Sequence, residues 1–300
     1  MKILIVGLGA IGAGFGVFND YESHLSVTNN LGYELVGGVD IDPERRIEFN
    51  RLTGKPTFGD LNEASSANPD VIVISTNPET HLRSLVTALK HFPESTFVCE
   101  KPFGSNGNES KEMFEFIIGS EINSYVNYSR QFSKGFRTLK QNIQGELICG
   151  SVTYNHGLVR SCSHYIRLCL GLFGPLKELR YISKQGTNNN PSFQILFENA
   201  STINFTGVAD SNIRIADFCL LTNRETITIT EAMNWKIIDS NYEEFPKWPR
   251  ELDVLVTGDF SGGLTELYKN FLNKKEMREL STSILDVYPN LIIDQILAHV

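Results

Sequence analysis

The chain has 300 residues, 41% hydrophobic and 21% charged, a composition that sets aside a disordered or low-complexity protein. Its net charge of -8, with no basic stripe, argues against a nucleic-acid partner. No apolar run approaches the ~18 residues a membrane span needs, and the length suits two domains of roughly 150 residues each.

Lys2-Ile3-Leu4-Ile5-Val6 predicts a buried parallel strand, and Gly7-Leu8-Gly9-Ala10-Ile11-Gly12 follows at once. In a dinucleotide fold Gly7 permits the tight turn and Gly9 lets the backbone approach a pyrophosphate. Gly12 lets the next helix pack on the strand, and that helix, opening at Ala10 and Ile11, offers N–H groups to the phosphates. A methyltransferase binding adenosylmethionine is the competing reading here. A helix interrupted near Gly14, Gly16 and Asn19–Ser23 is expected up to Asn30. Tyr33–Asp40 predicts a second strand ending in a carboxylate. Asp40 there accepts hydrogen bonds from the adenosine ribose and repels a 2′-phosphate, which favours NAD. Asp42 and Pro43 read as the N-cap and first residue of a helix, whose Arg45 and Arg46 keep NADP as the alternative.

The alternation continues. Lys55–Asp60 is extended, Leu61–Asn68 a short helix, and Asp70–Ser75 a buried strand. Thr76–His81 is a loop, with a helix over Pro78–His91. Thr96–Glu100 is a strand closed by Lys101-Pro102. This predicts an α/β Rossmann-type, doubly wound parallel sheet with right-handed crossovers. Ligands bind at the carboxyl ends of such strands, where Gly7, Asp40, Ser75, Thr76, Asn77, Glu100 and Lys101 all fall. Lys101, at a strand end beside the cofactor, is placed to donate to a substrate oxygen, and Pro102 suits a cis bond.

The pattern changes near Ser124, which predicts a dinucleotide-binding domain over residues 1–123 and a substrate and oligomerisation domain over 124–300. Gly150–Asn155 reads as a strand and Leu158–Leu172 as a helix. Strands follow at Leu179–Ser183, Ser192–Glu198, Thr202–Val208, Asp217–Thr222 and Glu225–Thr230. They predict an α+β domain with an open, mainly antiparallel sheet, one face free to build a homodimer or homotetramer. Helices near Leu264–Asn273 and Ser281–His299 are expected to pack back on the first domain. The five cysteines and six histidines show no ligand spacing, so no metal is expected. The cysteines show no Cys-x-x-Cys spacing and no signal peptide is evident, so reduced thiols in a cytoplasmic protein are the expectation.

Four segments together carry a family resemblance: the glycine turn, Gly38-Val39-Asp40-Ile41-Asp42-Pro43, Ser75-Thr76-Asn77-Pro78 with His81, and Cys99-Glu100-Lys101-Pro102. Val126-Asn127-Tyr128-Ser129-Arg130 and Ser163-His164 before Leu170–Gly174 extend it. The chain resembles the glucose–fructose oxidoreductase / inositol dehydrogenase (Gfo/Idh/MocA) family. The resemblance implies an NAD(P)-dependent oxidoreductase passing hydride between nicotinamide and a secondary alcohol or ketone of a sugar, cyclitol or nucleotide-sugar. By the same resemblance Lys101 is the catalytic lysine and His164 exchanges the proton. Ser75, Asn77 and Pro78 line the nicotinamide side with His81 nearby, and Asn127 and Arg130 face the substrate. Tyr154 and His156, just before the second-domain helix, are further candidates for the pocket.

The chain departs from the family around His164. Arg160 stands four residues before it, where many members carry Asp or sometimes Asn, and Arg167 three after, where many carry Asp. Helical spacing places both cations beside the imidazole, which would favour its neutral form. One reading is an enzyme in which Arg160 and Arg130 bind an anionic group of the substrate. The other is a catalytically impaired dinucleotide-binding sensor or regulator.

Overall fold

In a computed structural model the chain is described over residues 1–16, 22–183, 189–209, 212–239, 253–271 and 281–299. It divides into two compact units. One comprises Met1–Ser129 with Leu264–Val287, the other Arg130–Gly263 with Tyr288–Val300.

The first unit is built on a six-stranded, wholly parallel sheet. Its strands are β1 (Lys2–Val6), β2 (Glu34–Val39), β3 (Thr57–Phe58), β4 (Val71–Ile74), β5 (Thr96–Cys99) and β6 (Ser124–Val126), in the order β3-β2-β1-β4-β5-β6. The order reverses at β1 and β4, and that switch point opens the crevice in which such sheets bind ligands. β4 is buried at every position and β1 at all but Lys2, as a parallel sheet covered on both faces requires. The connecting helices are α1 (Ala10–Ala13), α2 (His24–Asn30), α3 (Pro43–Thr53), α4 (His81–His91) and α5 (Gly107–Gly119).

Several local expectations are corrected. The helix after the glycine turn is one turn long, because Gly14 takes a left-handed conformation (φ 82°) that stops it. α2 starts afresh at a Ser23 capping box, and residues 17–21 of the expected break lie outside the described residues. Leu61–Asn68 forms turns instead of a helix: Asn68 has φ 45° and Pro69 follows, so no helix can propagate there. The segment after Asn77 opens as a 3-10 turn, Pro78–Thr80, before α4.

The second unit carries an eight-stranded sheet. Its strands are β7 (Leu147–Tyr154), β8 (Leu176–Ser183), β9 (Ser192–Phe197), β10 (Thr202–Gly207), β11 (Ala216–Thr222), β12 (Glu225–Thr230), β13 (Asn234–Asp239) and β14 (Val254–Asp259). They run in the order β14-β13-β12-β11-β7-β10-β9-β8, antiparallel except where β10 lies parallel to β7. Burial alternates strictly along β11, so Phe218 and Leu220 point inward while Cys219 and Leu221 face out. On β7, Val152 is buried and Ser151 exposed, and Ser151 pairs with Cys219. One face is therefore core, with Phe193 and Phe205 stacked at 4.5 Å, and the other is open. Helices α6 (Lys134–Asn142) and α7 (Ser163–Phe173) complete the unit, with α9 (Tyr288–Leu297) packed on α7 and β8.

α7 does not begin at Leu158 as the pattern suggests. Leu158–Cys162 is a π-helical turn, and regular helix starts at Ser163. The expected helix from Leu264 is α8 (Gly263–Asn270), and Asn273 lies outside the described residues. The first unit is discontinuous in sequence. Tyr33 Oη donates to the Tyr268 carbonyl at 3.1 Å, and Thr282 N donates to the Ser124 carbonyl at 2.7 Å.

Candidate cofactor and catalytic site

Backbone crowding at the carboxyl end of β1 dictates the glycines. Gly7 has φ 94°, and a Cβ on it would lie 2.5 Å from the Ser75 carbonyl oxygen. A Cβ on Gly12 would lie 2.0 Å from the Gly7 oxygen, so the two ends of the turn touch through backbone alone. Gly9 is open, with only the Arg45 tip 3.7 Å from a Cβ there, which leaves room above the turn. The first helical bond runs from Ala13 N to Gly9 O at 2.9 Å. The N–H groups of Ala10, Ile11 and Gly12 precede it and are donors for an anion. With α1 one turn long, these oriented N–H groups contribute more than a macrodipole does.

Asp40 follows β2 and is buried beside this turn. Its Oδ2 accepts the Leu8 N–H at 2.7 Å and its Oδ1 the Asp42 N–H at 2.9 Å. The carboxylate thus ties the glycine turn to the second strand end. Each oxygen keeps a further lone pair for a ribose hydroxyl. The two arginines behind the NADP alternative are engaged here. Arg46 Nη1 donates to the Asp40 and Ile41 carbonyls at 2.7 and 3.0 Å, and Arg45 leans on Asp40 and Asp42 at 3.7 and 3.5 Å.

Ser75 directly follows β4 and donates through Oγ to the Gly7 carbonyl at 2.9 Å, which fastens the next strand end to the turn. Thr76, Asn77 and Pro78 form the exit, with Asn77 as N-cap of the 3-10 turn. His81 is fully buried, its Nε2 3.0 Å from the Thr76 oxygen and its Nδ1 3.4 Å from the Phe103 oxygen. It braces the loops after β4 and β5 instead of opening toward a ligand. Lys101 follows β5 beside a cis bond to Pro102.

Glu100 is buried, and its carboxylate is given to protein groups. Oε1 lies 2.9 Å from His24 Nε2 and also accepts the Asn127 amide, and Oε2 accepts the Lys101 N–H at 3.3 Å. His24 Nδ1 in turn lies 2.7 Å from Tyr268 Oη. Burial pushes the Glu100 carboxyl up, but the His24 and Asn127 hydrogen bonds and the His24 and Lys101 charges outweigh it, so its pKa falls below the ordinary value. An ionised Glu100 only accepts, so Asn127 must turn Nδ2 toward it. Asn127 Oδ1, also buried, then has no partner among the described residues.

His24 was invisible to sequence reading. It lies 76 residues from Glu100 in the chain, and a lone histidine at a helix start carries no spacing signal.

In the second unit His164 lies in the first turn of α7, half-buried. The two arginines do not flank it symmetrically: Arg160 is exposed within the π-helical turn, whereas Arg167 is buried beside Gly171. His156 is exposed. Tyr154 is fully buried and donates its hydroxyl to the Pro191 carbonyl at 2.7 Å, edge-on to Phe193. That removes it from the expected substrate-facing set, because its only polar group is spent inside the sheet. Arg130 stacks over Tyr165 and donates through Nε to the Ala232 carbonyl at 2.7 Å. Among the described residues no group of three His, Cys, Asp or Glu side chains is placed to hold a metal ion, and no helix is long and apolar enough to cross a membrane.

Residues 1–127 match the sequence model of the Gfo/Idh/MocA family, described as an oxidoreductase family with an NAD-binding Rossmann fold. No curated protein matches the chain significantly. Solved structures match it end to end. UDP-N-acetylglucosamine 3-dehydrogenase GnnA from Acidithiobacillus ferrooxidans superposes with a TM-score of 0.81 at 14% identity, covering 100% of this chain and 97% of that one. The WlbA dehydrogenase from Bordetella pertussis, in complex with NADH and UDP-GlcNAcA, gives 0.76 at 15% identity, covering 100% and 94%. A levoglucosan dehydrogenase in complex with NADH and levoglucosan gives 0.76 at 15%, covering 100% and 97%. At such identities the likeness is one of fold.

Proposed function

From the match of residues 1–127 to the Gfo/Idh/MocA oxidoreductase family we propose that the chain is an NAD-dependent dehydrogenase or reductase of sugar-like secondary alcohols. Its substrate class is a sugar, cyclitol or nucleotide-sugar. The observation that carries this reading is a convergence: Gly7, Asp40, Ser75–Pro78 and Lys101 all sit at carboxyl ends of one parallel sheet, around its switch point.

The glycine turn fits a dinucleotide. It has an open approach at Gly9, free N–H groups at Ala10–Gly12 and a buried carboxylate at Asp40. The buried Asp40 carboxylate beside the turn supports NAD over NADP, since it would repel a 2′-phosphate. Bound nicotinamide supplies the hydride acceptor or donor. The remaining work falls to the protein. Lys101 donates a hydrogen bond to the reacting oxygen and stabilises charge that develops there. His164 takes or returns the hydroxyl proton. Asn127 Oδ1 accepts from a ligand N–H or O–H. We further propose a homodimer or homotetramer through the open face of the second sheet. All five cysteines are free, which supports a reducing, cytoplasmic setting.

The test is spectrophotometric. Purified chain with NAD and a panel of sugars, cyclitols and nucleotide-sugars should produce NADH with at least one of them. Lys101→Ala should lower turnover by about 10²-fold or more, the scale of acid–base catalysis, while NAD affinity stays within a few-fold. Turnover that survives this change removes Lys101 from the mechanism. NAD binding without turnover across the panel supports the regulator instead.

A further inference from the structure

His24 belongs to a run of buried hydrogen bonds that ends on two residues of the candidate site. It opens α2 at the Ser23 capping box, and Thr28 Oγ1 donates to its carbonyl at 2.7 Å. Its ring is fully buried, with Nδ1 2.7 Å from Tyr268 Oη and Nε2 2.9 Å from Glu100 Oε1. Tyr268 is fully buried too and stacks against Tyr33, with ring centroids 6.4 Å apart. The imidazole is thus held at both nitrogens as well as through its backbone.

Glu100 passes that order on. Its Oε1 also accepts from Asn127 Nδ2, and its Oε2 accepts the Lys101 N–H at 3.3 Å. One carboxylate therefore joins the residues that follow β5 and β6. An ionised Glu100 only accepts, so His24 must present Nε2–H to it. Nδ1 then either accepts from the Tyr268 hydroxyl or, in an imidazolium, donates to it. A carboxylate taken this far from water rarely adds net stability even when paired, so donors converging on it point to work besides holding the fold. Without the His24 donor, Glu100 loses one of the two groups on Oε1 and is free to turn. The Lys101 N–H and the Asn127 amide then lose a fixed acceptor.

We propose that His24 is a positioning residue: through Glu100 it fixes Lys101 and Asn127 in the orientation the reaction uses. This rests on the oxidoreductase reading, in which those two residues meet the ligand. His24 acts only through the carboxylate.

Two amide substitutions in the full chain test it. In His24→Gln the side-chain amide takes the place of Nε2 and still donates to Glu100. In His24→Asn it takes the place of Nδ1, serves Tyr268 and leaves Glu100 without its donor. A merely structural polar contact would be served by either. On a substrate found by the NADH assay, His24→Gln should keep kcat within a few-fold of the wild type. His24→Asn should lower kcat by about tenfold or more, the scale of a misplaced group, with KM and NAD affinity within a few-fold. Amide hydrogen exchange followed by NMR needs no substrate. His24→Asn should speed exchange at Lys101 by about tenfold, the loss of one hydrogen bond. The Glu100 N–H, bonded to the Ile74 carbonyl at 2.9 Å, and the Asn127 N–H, bonded to the Cys99 carbonyl at 2.8 Å, should keep their rates. Equal losses in both variants, wild-type behaviour of His24→Asn, or faster exchange at all three amides alike overturns the proposal. Where His24→Asn does not fold, the imidazole nitrogen shifts of the wild type decide: a proton on Nε2 supports the arrangement and a bare Nε2 overturns it. Lys101 exchange that quickens in His24→Asn, with no wild-type turnover on any substrate, overturns the enzyme and leaves the positioning. Turnover with kcat and exchange unchanged in His24→Asn overturns the positioning and leaves the enzyme.

Discussion

Two carboxylates show how much single residues do here. The sequence points to Asp40 as a ribose acceptor, and in the structure its two oxygens accept from Leu8 N and Asp42 N. That second task was not legible, because it depends on a backbone 32 residues away. Asp40→Ala should therefore cost about 1–3 kcal/mol in stability through two orphaned N–H groups, as well as weakening NAD and its preference over NADP. Thermal melts together with NAD and NADP titrations check this, and unchanged cofactor preference would take Asp40 out of the ribose site. Glu100 carries a pH signature. Its pKa is depressed in the fold, so it stabilises the protein above the ordinary carboxylate value of 4.5 and loses that contribution as pH falls through the lower folded value. Glu100→Gln should flatten the acid side of the melting curve and lower stability near neutrality. An identical acid limb in the variant would show that Glu100 does not titrate with folding. His24, the partner that holds Glu100, was missed because a buried histidine becomes informative only when its neighbours are known.

At the scale of elements, strands were easier to read than helices. β11 alternates buried and exposed positions without exception, and β4 is a continuous β-branched run, so both announce themselves. The local pattern over Leu61–Asn68 suggests a helix, but the left-handed Asn68 and the following Pro69 leave the segment as turns. The π-helical turn at Leu158–Cys162 escaped because periodicity alone does not separate a wide turn from a regular one. β13, β14, α5 and α6 were not identified at all. β14 is exposed or half-exposed along its length, so it lacks the buried face that marks a strand. The glycine turn was legible in kind, but the reason for its strictness lies in the neighbouring strand. Gly12→Ala would push a methyl group against the Gly7 carbonyl, which cannot yield without moving the turn. Loss of NAD binding by at least about tenfold is expected, together with a lowered melting temperature. An alanine variant that binds NAD like the wild type would show that the turn need not be this tight.

The whole molecule raises the question of assembly. The open face of the second sheet presents Cys149, Ser151, Cys219 and Leu221, small or apolar groups on adjacent strands. If this face pairs copies of the chain, Ser151→Arg would set like charges against one another across the contact. Light scattering should then show a dimer or tetramer for the wild type and a smaller species for the variant. A monomeric wild type would end the proposal. The first unit has a different consequence, which concerns synthesis. Its sheet is complete by Val126, yet Tyr268, which meets His24, and Thr282, which meets Ser124, come from the far end of the chain. At about 5–20 residues per second, on the order of ten seconds separate the emergence of Ser129 from that of Leu264 at the ribosome. Throughout that interval the nascent sheet stands without its late-arriving closure, and a release factor acting early would leave a fragment whose buried histidine has lost its tyrosine.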